Sequence, residues 1–226
     1  MNQQPTNIVI FSHGFGVHKT NRGLFTAIAN ALPHSQPVLF DYSPIHEESK
    51  TITARPLHDQ VLKLRKVINT ARLDYPNAVI DLVCHEQGCV VAALLKPRDI
   101  RKIIMLAPPA AISEDVVIKQ LASRSETPID PATRTRLSGS DGSTTVIHPE
   151  YWQGLSGIKP IKLYNNLARF TQLRIINAKQ DDVIRPQDFE GLDPSVSCVS
   201  LTGNHYFEDE ASRNQLLHIL QKELAL

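Results

Sequence analysis

The stretch DLVCHEQGCVVAALL, residues 81–95, reads as an apolar strand, a sharp turn and an amphipathic helix. Glu86 stands at the tip of that turn. A carboxylate with an ordinary pKa of about 4.3 is ionised at pH 7. Glu86 could therefore attack an electrophilic carbon unaided, or pair with a histidine and hold it charged. The helix that starts here offers free backbone N–H groups and the positive end of its dipole at the same place. Two further loops carry complementary chemistry. AKQDDVI, residues 178–184, presents two adjacent carboxylates, Asp181 and Asp182. TGNHYF, residues 202–207, presents His205 after the last apolar run, a position suited to a general base at a sheet edge.

Two other readings of reactive residues fail. GVHKT suggests a phosphate loop, but G-x-x-x-x-G-K-[ST] needs glycine at positions 13 and 18, and both are histidine. Cys84, His85 and Cys89 suggest a metal site. Cys84, however, ends a strand and Cys89 lies in a helix, each in an apolar context where core packing is expected. No metal is expected, and His85 is read as a packed residue of the turn.

These groups need a scaffold that brings them together. The 226 residues suffice for one domain with its own core. Hydrophobic residues make up 42% and charged residues 21%, ordinary globular values. The net charge of +1 advertises no basic face, so nucleic acid is not an expected partner. No apolar run approaches the ~20 residues needed to span a membrane. MNQQPTN lacks the basic and apolar regions of a signal peptide. Three cysteines make no disulfide framework, and a cytoplasmic setting is expected.

Strands are predicted at NIVIFS, QPVLFDYS, AVIDLVC, IRKIIMLAPPA, QLRIINAK and SVSCVSLTG. Helical periods fill NRGLFTAIANALP, residues 56–76, the segment after Gly88 up to Pro97, and RNQLLHILQKELAL. Alternating strands and helices predict an α/β fold: a mainly parallel sheet with helices on both faces. Residues 111–171 break that rhythm. They are polar and irregular, and TRTRLSGSDGSTTVI reads as two short strands around a Gly/Ser/Asp turn. Inserted after a sheet strand, this stretch would lie over the strands' C-terminal ends as a lid or cap.

The order of elements, with these loops at their places in it, resembles the α/β-hydrolase family over nearly the whole chain. CHEQGC resembles the family's G-x-S-x-G turn, with Glu86 in the serine's place, Gly88 kept, and Cys84 where the first glycine stands. SHGFG resembles the turn that donates an oxyanion-hole amide. AKQDDVI resembles the loop of the triad acid, and TGNHYF that of the triad histidine. The resemblance implies a single domain over 1–226 that lacks the family's first two strands and carries a cap at about 111–171. It implies that His205 shuttles protons and that Asp181, spaced from Ala178 and Val183 as the pattern asks, orients it; Asp182 is the alternative. It also implies that the backbone N–H groups of Phe15 and Gln87 hold an oxyanion.

The implied activity is hydrolysis of a small-molecule carboxylic ester through an acyl-enzyme at position 86, with no cofactor. Tyr151, Trp152 and Leu155 are candidates to line the substrate pocket or to pack the cap's own core. Glu86 leaves three readings open. It impairs a serine-hydrolase framework, it marks a non-catalytic binder of a small apolar or acyl ligand, or it is itself a carboxylate nucleophile.

Overall fold

The central apolar runs, such as NIVIF and IIML, show little polar alternation, so they need cover on both faces. They receive it in the computed structural model, which describes residues 5–43, 45–46, 48–122, 125, 127–139, 142–185 and 187–225. In chain order the first half comprises β1 (Asn7–Ser12), α1 (Leu24–Asn30), β2 (Gln36–Leu39), β3 (Ile45–His46), β4 (Thr51–Ala54), α2 (Leu57–Asp74), β5 (Val79–His85) and α3 (Gln87–Leu95). The second half comprises β6 (Lys102–Leu106), α4 (Glu114–Leu121), β7 (Thr135–Ser138), β8 (Thr144–Ile147), α5 (Pro149–Gln153), α6 (Pro160–Ala168), β9 (Gln172–Ala178), β10 (Ser197–Leu201) and α7 (Glu210–Leu224).

Six strands form the main sheet in the order β10-β9-β6-β5-β1-β2, and every neighbouring pair is parallel. Successive residues of each central strand feed opposite cores. Ile8, Ile10, Leu82, Ile103 and Met105 meet α2, α3 and α6 on one face. Val9, Phe11, Val83, Ile104 and Ile176 meet α1 and α7 on the other. Since the strands are parallel, the loops after β1, β5, β9 and β10 all emerge at one edge.

Residues 111–171 depart from the irregular stretch that their polarity suggests. They hold α4, the antiparallel pair β7–β8, α5 and α6. The centre of the predicted turn, Ser140 and Asp141, lies outside the described residues, as do residues 1–4. The sequence also gave no sign of β3 and β4. These pair with each other and then, through β4 and β8, with the hairpin, making a second sheet in the order β3-β4-β8-β7. Four residues are too few for their alternation to mark a strand, and their partner strand lies far along the chain. The later part of the stretch joins the main core: Tyr151, Trp152, Leu155, Tyr164 and Leu167 are buried with α2 and α3. Among the described residues, no helix is long and apolar enough to cross a membrane, and no cluster of His, Cys, Asp and Glu could hold a metal.

At the opposite edge the sheet is fastened by charge. The Asp81 side chain is wholly buried, and Arg101 meets it through two bonds of 2.9 and 2.5 Å. Arg101 also donates to the carbonyls of Leu224 and Ala225, and Lys102 to that of Glu223, so both cap the end of α7. Arg101→Met keeps the stem and removes the charge, leaving Asp81 buried and unpaired. A loss of about 3 kcal/mol or more is expected from urea unfolding; a loss below about 1 kcal/mol would mean that the pair behaves as a surface one.

Candidate active site

β5 ends in a turn too tight for ordinary residues. Glu86 adopts φ 48° and ψ −123°, a sparsely populated conformation for any residue with a side chain. Its N–H donates to the Leu106 carbonyl at 3.0 Å, and its own carbonyl accepts from Cys89 at 2.9 Å. A Cβ on Gly88 would stand 2.2 Å from the Ser12 carbonyl oxygen, so only glycine lets α3 begin this close to β1. Ser12 locks the approach: its hydroxyl donates to the Gly88 carbonyl at 3.1 Å and meets the Tyr42 hydroxyl at 2.6 Å. Cys84 and Cys89 are buried in the core with their thiols pushed up by burial.

The turn aims the Glu86 side chain at the loop after β1. The Phe15 N–H donates to Glu86 Oε2 at 2.5 Å. Burial pushes the Glu86 carboxyl above its ordinary 4.5, while the charge of His205 and the amides of Phe15 and Gln87 pull it back. Unperturbed ionisation, assumed from the sequence, therefore does not describe it. Room for the carboxylate comes from Gly14, where a Cβ would lie 2.6 Å from Oε2. His13 braces this loop. Its Nδ1–H donates to the Gly14 carbonyl at 2.8 Å and its Nε2 accepts from the Tyr42 N–H at 3.2 Å. The second bond needs Nε2 unprotonated, and burial lowers the ring's pKa to about 4.

Asp181 and His205 meet from the loops after β9 and β10. Both side chains are buried, and His205 Nδ1–H donates to Asp181 Oδ2 at 2.7 Å. The other Asp181 oxygen accepts from the N–H groups of Val183 and Ile184 at 3.0 and 2.8 Å. Asp182 instead accepts from the backbone N–H of His205 at 3.2 Å. His85 supports the loop from below, donating from Nε2 to the His205 carbonyl at 3.0 Å with the two rings 4.5 Å apart. Burial, then the neighbouring His205, hold its pKa well below 6.5 and keep it neutral. Among the described residues, no ion pair within 4.0 Å joins His205 to Glu86.

Glu86, Phe15 and His205 open onto a cavity of about 150 Å³. Tyr151 is on its wall. Trp152 and Leu155, the other two candidate lining residues, are packed into the main core instead. The chemistry around Tyr151 includes residues that the sequence did not single out. Its hydroxyl donates to the Gln87 side chain at 2.6 Å, Gln87 donates to Gln60 at 3.1 Å, and Gln60 donates to the Arg55 carbonyl at 2.7 Å. The available signal was Gln60 itself, a polar residue in phase with buried Leu57, Leu64 and Ile68 on α2.

Solved structures share this arrangement of strands over nearly the whole chain. The esterase domain of a Rhodothermus marinus protein matches with a TM-score of 0.69 at 15% identity, over 98% of this chain and 88% of that one. Est1E from Butyrivibrio proteoclasticus matches at 0.68 and 17%, over 97% and 87%. An alpha-beta serine hydrolase homologue from Coxiella burnetii matches at 0.60 and 16%, over 99% and 86%. The chain has the α/β-hydrolase fold. No family profile matches it, and no curated protein sequence does. Within this hydrolase fold, Glu86, Asp181 and His205 stand after β5, β9 and β10, at the edge where the parallel strands end.

Two stability measurements probe this arrangement. A carboxyl whose folded pKa is raised contributes most below its unfolded pKa and loses that contribution as pH rises through the folded value. Glu86→Gln should therefore match the parent best below pH 4.5 and gain on it as pH rises, as read from denaturant midpoints. A difference independent of pH would contradict the raised pKa. Gly14→Ala should cost the parent at least about 1 kcal/mol more than it costs Glu86→Ser, since the clash is with the Glu86 side chain.

Proposed function

We propose that the chain carries the framework of a carboxylic ester hydrolase, silenced at the nucleophile position by Glu86. The observation that carries this reading is the 2.5 Å bond from the Phe15 amide to Glu86 Oε2, beside the His205–Asp181 pair. An amide aimed at a negative oxygen next to an oriented imidazole is what acyl transfer requires. With serine at position 86, His205 would take the hydroxyl proton as the serine attacked an ester carbonyl. Asp181 would hold the ring's tautomer and stabilise imidazolium. The Phe15 and Gln87 amides would bind the oxyanion, worth roughly 10²–10³ in rate each. Residues 111–171 serve as the lid, bringing Ala111, Ile112, Leu121 and Tyr151 over the cavity. In this chain the Glu86 carboxylate already holds the amides, so an ester carbonyl finds them occupied. A role for Glu86 as nucleophile fits less well. The carboxylate would have to leave those amides, and attack on an ester would yield a reactive anhydride.

The test is hydrolysis of p-nitrophenyl acetate and butyrate by the parent, by Glu86→Ser, and by each with His205→Ala added. Turnover is expected from Glu86→Ser alone, falling by at least about 10²-fold when His205 is removed. A folded Glu86→Ser protein that hydrolyses neither ester would sink the proposal.

A further inference from the structure

We infer that the cavity beside Glu86 and His205 is a binding site for a small neutral alcohol, and that the chain selects alcohols over carboxylates and esters. The inference rests on the esterase-framework reading above and concerns what the silenced site can still hold.

Glutamate is the shape of an acylated serine. In an acyl-serine the chain runs Cβ–Oγ–C(=O); in Glu86 it runs Cβ–Cγ–Cδ with the carboxylate oxygens on Cδ. Cγ stands for the ester oxygen, Cδ for the acyl carbon, and Oε2, held by the Phe15 amide, for the carbonyl oxygen. The side chain thus fills the acyl position permanently. What stays open in front of it is the place from which an alcohol leaves or a hydroxyl attacks during acyl transfer.

The chemistry of the walls agrees. His205 commits Nδ1 to Asp181, and among the described residues Nε2 has no hydrogen-bond partner while the residue lines the cavity. With Nδ1 committed, Nε2 is the nitrogen left for a ligand, and a hydroxyl, which both donates and accepts, can hydrogen-bond to it. Among the described residues two carboxylates, Glu86 and Asp182, line the cavity, and no lysine or arginine does. An anionic ligand would meet the repulsion of both. An ester cannot place its carbonyl on the Phe15 amide because Oε2 is there. An ammonium would be attracted, yet Glu86 is already served by two backbone amides, and the rest of the wall is largely apolar, so desolvation opposes it. The remaining lining includes Pro109, Ile112, Val117, Leu121 and Ile184, which suit a hydrocarbon body. About 150 Å³ is a volume that accepts a ligand the size of benzene.

Benzyl alcohol, toluene, sodium benzoate, methyl benzoate and benzylamine form a probe set of one body and five head groups. Binding to the parent at pH 7.5 is read by calorimetry and by chemical-shift changes of the His205 ring. Saturable binding of benzyl alcohol that moves the His205 signals is expected. Toluene, methyl benzoate and benzylamine should bind more weakly, and benzoate weaker by at least about tenfold. Glu86→Gln keeps the shape and removes the charge, so it should narrow the alcohol-to-benzoate ratio. Benzyl alcohol binding no better than toluene, or benzoate or benzylamine binding as tightly as the alcohol, overturns the inference. Ester turnover by Glu86→Ser alongside such a failure leaves the framework standing and removes only this inference. Alcohol binding by the parent with an inert, folded Glu86→Ser removes the framework instead.

Discussion

Gly88 lies so close to the Ser12 carbonyl that no side chain fits between them. That approach sets α3 directly over the end of β1 and forces the preceding residue into a strained backbone conformation. Glu86 is that residue. Its φ of 48° throws the side chain out of the sheet's edge toward the loop after β1, where the Phe15 amide bonds it. The strain is held by bonds at both ends of the peptide, to Leu106 and from Cys89, and by the Ser12 hydroxyl that ties β1 to α3. Such conformations persist only where the surroundings over-determine them.

Burial of so many ionisable groups at one edge is tolerated because each has its own solution. His13 and His85 are kept neutral by burial, and each spends one ring nitrogen on a backbone carbonyl. Asp181 is satisfied by two amides and one imidazole. Glu86 alone is a compromise. Burial opposes its charge while His205 and two amides favour it. A group in that position is expensive as a packing element, which is why its geometry invites a functional explanation.

The second sheet explains how the approach to this edge is furnished. β4 comes from the segment before α2, and β8 from the segment between β6 and β9. Their parallel pairing joins two excursions of the chain. A Cβ on Gly16 would lie 3.0 Å from Thr145 Oγ1, so the joined sheet rests against the loop that carries Phe15. Tyr151 then reaches the elbow through Gln87 and Gln60, coupling α5, α3 and α2 by hydrogen bonds rather than by apolar contact alone.

Much of the main sheet was legible in sequence because short apolar runs such as NIVIF, alternating with helical periods, suit parallel strands buried on both faces. The helices between them announced themselves by period, and Pro97 by ending one. The second sheet and the helices of 111–171 were not legible. Thr51–Ala54 is too short for its alternation to mark a strand, and it is held as one where Thr144–Ile147 is delivered beside it. Sequence likewise brought Asp181 and Asp182 forward as a pair and favoured the first by resemblance. Which one faces the imidazole and which the backbone N–H is set by how the loop bends under His205. The identity of Glu86 at the turn's tip was fixed by sequence. That its carboxylate bonds the Phe15 amide rather than pairing with His205 was decided by tertiary structure, because Gly14 and the strained turn leave room for the side chain in that direction.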